Sequence, residues 1–478
     1  MANKKDLAEA QNYSRARLIT AFTSGIPGGK ELAPKKGLTP VLVGVGLTAI
    51  MVLVSVFYGY LSPGLPTDWS NNRLIVAKDT ASRFVSVKGT LYPVINTTSA
   101  RLLIPSKDYK VLVVDDQELE GLPVGNSVGI AGAPDILPNR DRLANRQFAS
   151  CAQDDAVRNV ISAQETARPA GRSTAVVVSD GGTEFVVAAG LRHRLPKDGL
   201  TRDSMLRILG LAQAQVTKVA TQWVNLFGEG TPLDPVHVPG EGKTIKVEGE
   251  SYEVGSFVTQ QGGDGSVYVV MQDASLAPVD GVAKELYSVG KDDSLIRPHE
   301  LTVAKLGGFS NAPASFIPAD WPNAKLTAMA SPSPCALIEP SDGADGTAAT
   351  PSVELGTVPD RSLLDATPAH TKVASGSGAL VRAVSGDDIT KGTLYVIDGS
   401  GVAYPVPDDT EEIIARLGFR SADVRGIPRE WADVFAIGVS LSPDDAGLPA
   451  QFNAAGTSTA NTGTANTGTT NSGTGPTQ

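Results

Sequence analysis

The stretch LTPVLVGVGLTAIMVLVSVFYGYL, residues 38–61, decides how the rest of the chain is read. It is apolar over its whole length, and residues 37–67 contain no charged side chain. At about 1.5 Å per residue such a helix exceeds the roughly 30 Å hydrocarbon core, so it can cross a bilayer with some tilt. Phe57, Tyr58 and Tyr60 gather at its far end, where aromatic rings favour the headgroup region, and Pro63 and Pro66 stop the helix. A cleaved signal peptide fits less well, because 36 residues precede the run, the run is long for such a peptide, and no Ala-x-Ala site follows.

Charge sets the orientation. Residues 1–36 carry seven basic against three acidic side chains, while the remainder carries 34 basic against 48 acidic. The positive-inside bias predicts a cytoplasmic tail at 1–37, a single spanning helix at 38–61, and a large body outside the cytoplasm. Within the tail, residues 6–22 read as a helix, either lying against anionic lipid or serving as a docking site for a partner. The formal net charge of −10 gives no broad basic surface for nucleic acid. With 478 residues the chain exceeds one typical domain, and 50 Gly and 32 Pro disfavour a helix bundle.

Cys151 and Cys335 are the only cysteines and fall on the oxidising side of that topology. The even count and the compartment point to a disulfide; two buried thiols or a reactive nucleophile are the alternatives. With four scattered histidines, they are too few for a Cys/His zinc site.

Along the outer body one pattern recurs four times: an aromatic residue in an apolar strand, a turn, a proline, and a short helical stretch. The copies begin at Phe84, Phe185, Tyr268 and Tyr395, with prolines at Pro93, Pro196, Pro278 and Pro405. Three close on an apolar residue and glycine, Leu209-Gly210, Val289-Gly290 and Leu417-Gly418, which suits a left-handed helix end. The first instead has Ser99-Ala100-Arg101-Leu102-Leu103. Each unit reads as a strand pair followed by a short helix. The expected fold class is α+β: one N-terminal transmembrane helix, then an elongated ectodomain of four small strand/helix repeats around a central, discontinuous, mostly β domain. The repeats are placed at 70–120, 173–235, 236–304 and 386–445. The Gly-, Pro- and Ala-rich stretches 121–172 and 305–385, each holding one cysteine, form the central domain. Residues 446–478 have too little apolar surface to bury a core and are expected to be disordered.

Chemical motifs are sparse. Gly125-Asn126-Ser127-Val128-Gly129 matches the nucleophile elbow of serine hydrolases, with Asp135 and His193 following in the required order. Pro123 interrupts the strand that should precede it, and Gly132 and Pro134 the helix that should follow. Gly242-Lys243-Thr244 resembles the second half of a phosphate loop, but His237 stands where the first glycine belongs. A hairpin of Val236 and residues 244–247 is the plainer reading, with Lys243 and Thr244 the only nucleotide candidates and ATP the only cofactor they would suggest. Gly44-x-Gly46-x-x-Ala49 mimics a dinucleotide fingerprint inside the membrane run, where small residues serve helix packing. His193, His237, His299 and His370 show no ligand spacing.

Three strings point to a family. WSNNRLIVAKDTASRFVSVKGTLYPVINTTSARLL at 69–103, GIAGAPD at 129–135 and the Leu137-Pro138 that follows resemble EccB, the membrane-anchored core component of type VII (ESX) secretion systems. The resemblance extends from the membrane run to about residue 445. It implies a single helix, four repeats around a central domain, and one disulfide. It further implies a structural subunit of the inner membrane, N-terminus in the cytoplasm and ectodomain in the periplasm or facing the cell wall. The implied partners are EccC, EccD, EccE, a mycosin protease and further copies of the chain. Members are sometimes labelled ATPases, a label that no complete nucleotide loop here supports. The other readings are a membrane-tethered ATPase or hydrolase of the same system, and a module gripping the cell wall.

Overall fold

The structure, a computed structural model, describes residues 4–24, 38–60, 65–153, 155–312, 316–342, 351–365, 367, 369–386, 388 and 390–450. The chain forms two units, 1–66 and 67–478. In the first, Lys4–Ser24 is helical, slightly longer than the 6–22 expected. Thr39–Tyr60 is a second helix, apolar and long enough to cross a membrane.

In the second unit four small sheets arise from the same local chemistry. Three antiparallel strands follow one another: Arg73–Ala77, Arg83–Val87 and Thr90–Pro93 in the first sheet. Lys88 and Gly89 both take positive φ in the two-residue connection, which matches the twist of the strands it joins. Thr174–Asp180, Thr183–Ala188 and Leu191–Arg194 repeat the arrangement. Phe257–Gln260, Val267–Val270 and Ser275–Val279 form the third set, and Ala379–Val384, Thr393–Ile397 and Val402–Val406 the fourth.

A short helix follows each set: Thr97–Leu103, Gly199–Ile208, Gly281–Tyr287 and Glu411–Arg416. Asn96, Asp198 and Thr410 cap three of them by accepting a hydrogen bond from a backbone N–H in the first turn. Gly210, Gly290 and Gly418 end the last three at φ of +81°, +75° and +96°. The chain then lays a parallel strand along the first strand of its own set: Val111–Val114, Val216–Lys218, His299–Leu301 and Arg425–Pro428. Finally it crosses to the opposite edge, where Gly228–Glu229, Ser310–Asn311 and Ala436–Ile437 pair in parallel. Val124 makes the matching bridge to Leu91 in the first sheet.

The expected strand pair is therefore a three-stranded set with two parallel flanks. Its opening strand lies upstream of the aromatic signal, so Ala379–Val384 belongs to the fourth sheet although 305–385 was expected to be central. Ser310–Asn311 and Thr327–Ala328, from the same stretch, join the third and second sheets. Strands of two residues have no room for an apolar alternation, which is why composition assigns them to spacers. What remains central is a six-stranded sheet ordered Thr371–Val373, Ala156–Ser162, Gln147–Gln153, Cys335–Ile338, Glu354–Thr357 and Arg168–Pro169. The expected disordered tail also starts too early. Ala446 is buried in the helix Pro443–Gly447, and Pro449 bridges Val128; residues 451–478 of that expectation lie outside the described residues.

Three cores join the sheets. One merges the central sheet with the second and fourth around Trp223, Trp431, Phe148 and Phe435. Another packs Leu206 and Leu209 of the second sheet's helix region with Val282 and Leu286 of the third. The last packs Leu102 of the first against Leu417 and Ile414 of the fourth. First pairs with fourth and second with third, and both pairs meet the central sheet.

Candidate functional site

The central sheet places Cys151 and Cys335 directly opposite each other on antiparallel strands, both buried and joined by a disulfide across 184 positions of sequence. Their neighbours carry the main core. Trp223, in the helix Thr221–Asn225, donates its Nε1–H to the carbonyl of Ser150 at 2.9 Å and stacks edge-on with Phe227 at 5.0 Å. Trp431, in the 3-10 turn Arg429–Val434, occupies the corresponding place between the two parallel flanking strands of the fourth sheet, and Phe435 packs edge-on with Phe148 at 6.4 Å. The sequence carried a signal for this: Trp-x-x-x-Phe occurs at 223–227 and at 431–435, each after a parallel strand.

The serine-hydrolase candidates are dispersed. Residues 125–129 run beside the first sheet rather than at a strand-to-helix turn, and Ser127 uses its carbonyl to accept the backbone N–H of Ala450 at 2.9 Å. Asp135 pairs with Arg83 at 2.8 Å and accepts the backbone N–H of Thr97 at 3.0 Å. His193 is buried in the second sheet, where Nδ1 bonds the Thr231 carbonyl at 2.9 Å. The three residues serve separate structural contacts, Ser127 through its backbone and Asp135 and His193 through their side chains.

Lys243 and Thr244 open a hairpin of Thr244–Val247 with Glu250–Glu253, turning at Glu248 and Gly249. The hairpin exists, but its partner strand is downstream rather than at Val236. No helix follows Thr244, so the backbone N–H groups that cradle phosphate in such loops are not gathered here. His299 lies in the outer strand of the third sheet. His370, at a φ of +54°, accepts Arg158 at 2.5 Å in the only polarity open to a guanidinium donor. No group of three or more potential metal ligands occurs among the described residues.

One cluster near the phosphate-loop motif carries no sequence signal because its members are 50 positions apart. Lys291 is almost fully buried and donates to both carboxylate oxygens of Glu241, at 2.7 and 2.6 Å, and to the Val236 carbonyl at 2.6 Å. Its ammonium also lies over the Tyr287 ring at 4.8 Å. Burial raises the Glu241 carboxyl, but bonds from Lys291, His237 and the Val238 N–H outweigh it and hold the group below its ordinary range. Burial, with the nearby Glu241 charge, pushes the Tyr287 phenol up. Every member has a structural partner, so the cluster locks the third sheet's entry segment.

An apolar helix long enough to cross a membrane, followed by a disulfide-closed body of recurring small sheets, sets the class of protein to which this chain is compared. The chain belongs to the family described as type VII secretion system ESX-1, transport TM domain B, whose model matches residues 2–451. It is similar to the ESX-3 secretion system ATPase EccB3 of Mycolicibacterium smegmatis, 26% identical over 84% of this chain and 82% of that one. It is also similar to the ESX-2 secretion system ATPase EccB2 of Mycobacterium tuberculosis, at 24% over 84% of this chain and 87% of the relative. Among solved structures, a chain of the intact ESX-5 inner membrane complex shares the fold with a TM-score of 0.65, at 19% identity over 96% of this chain and 98% of that chain. The EccB3 dimer from the ESX-3 core complex does so at 0.62, with 21% identity over 78% of this chain and 99% of that chain.

Proposed function

We propose that the chain is a structural core subunit of a type VII secretion complex in the inner membrane. It crosses the membrane once through Thr39–Tyr60, with the N-terminal helix in the cytoplasm and the disulfide-closed body in the periplasm, where it scaffolds or lines the outer side of the complex. Its partners in this reading are EccC, EccD, EccE, a mycosin protease and further copies of itself.

The observation that carries it is the family match across residues 2–451, which takes in both the spanning helix and the sheets. The relatives' name, ATPase, finds no support in the hairpin that holds Lys243 and Thr244. The chemistry of the candidate residues favours a scaffold, since Asp135 and His193 are spent on separate structural contacts and Thr244 lies in a hairpin ladder. The test is export by cells whose only copy carries Lys243→Ala or Ser127→Ala. Wild-type export from both is expected; loss of export in a complex that still assembles would favour catalysis. Pull-down of the tagged chain from mild detergent should bring down the four named partners.

A further inference from the structure

The strand Val111–Val114 is the outer edge of the first sheet. In its parallel register with Arg73–Ala77, Leu74 N donates to the Lys110 carbonyl at 3.0 Å and Lys78 N donates to the Val114 carbonyl at 2.9 Å. The alternation of a strand then turns the N–H and C=O of Val111 and Val113 away from the sheet. Their side chains are 46% and 65% exposed, whereas Leu112 and Val114 are buried. Val111 and Val113 share a face with Leu74 and Val76, which belong to the small core under the helix Thr97–Leu103, but they lie beyond its cover.

The equivalent edges differ. In the fourth sheet Arg425–Pro428 is covered by Ser341–Asp342. The outer strand of the second sheet ends in Lys218, and that of the third opens with His299 and Glu300. Only Val111–Val114 is apolar throughout, with no proline and no charge to discourage pairing, the devices by which open edges are normally protected.

We propose that this edge pairs antiparallel with the same strand of a second copy, joining two first sheets into one. The flanking charges select that occupant and that direction. Lys110 precedes the strand; Asp115 and Asp116 follow it. With Val111 opposite the partner's Val113, Lys110 of each copy stands opposite the partner's Val114, at the end of the joined sheet where the partner's acidic Asp115 and Asp116 follow, while a parallel arrangement would set like charges side by side. Inside one chain these groups are loosely held: Lys110 is 3.9 Å from Asp68 and Lys78 3.3 Å from Asp115, all largely solvent-exposed. Pairing about a two-fold axis beside Leu112 closes the edge completely, leaving no strand free for a third copy. The inference gives a surface to the self-association in the functional reading and rests on that reading only for the presence of a second copy.

The test uses the full-length chain in detergent micelles. Val113→Pro removes an outward N–H while leaving the inward ladder intact, a place where edge strands accept proline. Its dimer dissociation constant should rise at least about tenfold with the unfolding midpoint unchanged, because interchain backbone bonds are lost and none within the chain. The chain has no free cysteine, so introduced thiols report cleanly. A mixture of Val111→Cys and Val113→Cys chains should cross-link on oxidation about tenfold faster than Leu200→Cys, an exposed site elsewhere. An unchanged dissociation constant for Val113→Pro, or cross-linking no faster than the control, overturns the edge while leaving the scaffold reading to its own export test.

Discussion

Glu412 in the fourth sheet's helix accepts hydrogen bonds from the backbone N–H and the Oγ–H of Ser106, at 2.9 and 2.8 Å, across 306 positions of sequence. Arg416, one turn on, bonds Glu412 through Nε at 3.0 Å and donates from Nη1 to the Leu102 carbonyl at 2.7 Å. Two residues of one helix thus clasp the first sheet's helix end onto the fourth sheet, over the shared core of Leu102, Ile414 and Leu417.

The clasp makes stability depend on acid in a defined direction. The Ser106 backbone N–H, followed by Arg416, lowers the Glu412 pKa to about 2. A carboxyl depressed in the folded state stabilises fully above its unfolded value and loses that contribution as pH falls toward the folded one. Glu412→Gln should therefore destabilise by about 1 kcal/mol near neutral pH, a figure already reduced for a half-exposed pair. Thermal melts across pH should show the wild-type advantage holding above about pH 5 and vanishing toward pH 2.

Reduction of Cys151–Cys335 should cost about 2–4 kcal/mol, the usual range for a bond closing a long loop. The two residues remain ladder partners between Gln147–Gln153 and Cys335–Ile338, so the reduced protein should keep its strand content while its denaturation midpoint falls. Urea unfolding of a Cys151→Ala, Cys335→Ala double variant, followed by far-UV circular dichroism, checks both parts. Loss of the β signal in native buffer would contradict the ladder's independence.

The apolar helix Thr39–Tyr60 was legible because length and lack of charge suffice to define it, and the helix ends at Leu209, Val289 and Leu417 because an apolar residue before glycine has one common use. Edge pairing was not legible. Gly228–Glu229 and Ser310–Asn311 are held by ladders that any short extended segment could enter, so their residue types carry no instruction. The aromatic starts at Phe84 and Tyr395 marked the middle strand of each set, since that strand meets neighbours on both sides, and hid the strand before it. Of the chemical candidates, Ser127, Asp135 and His193 matched an order along the chain, which says nothing about distance in space.

The two core tryptophans should respond differently to loss of the indole N–H. Trp223→Phe removes the donor to the Ser150 carbonyl, whereas Trp431 Nε1 is buried with no hydrogen-bond partner among the described residues. Both substitutions cost packing volume. Trp223→Phe should cost about 1 kcal/mol more, the value of one buried hydrogen bond. Equal shifts in the denaturation midpoints of the two variants would show that the Ser150 bond contributes nothing.

Two helix-ending glycines at left-handed φ offer a matched comparison. A Cβ on Gly210 would lie 2.9 Å from the Leu326 carbonyl oxygen, which belongs to backbone fixed by the Leu326 N–H to Leu209 C=O bond at 2.8 Å. A Cβ on Gly418 would also meet an atom at 2.9 Å, but that atom is Nη1 of Arg101, the end of a long side chain that can swing away. Both alanines incur the conformational cost of a left-handed residue, about 1 kcal/mol. Gly418→Ala should stop near that figure, while Gly210→Ala should cost about 2 kcal/mol or more, because the backbone of Leu326 must move. Chemical denaturation of the two single variants measures the difference directly. A Gly418→Ala variant less stable than Gly210→Ala would mean that Arg101, stacked 4.6 Å above the Tyr109 ring, is held as firmly as backbone.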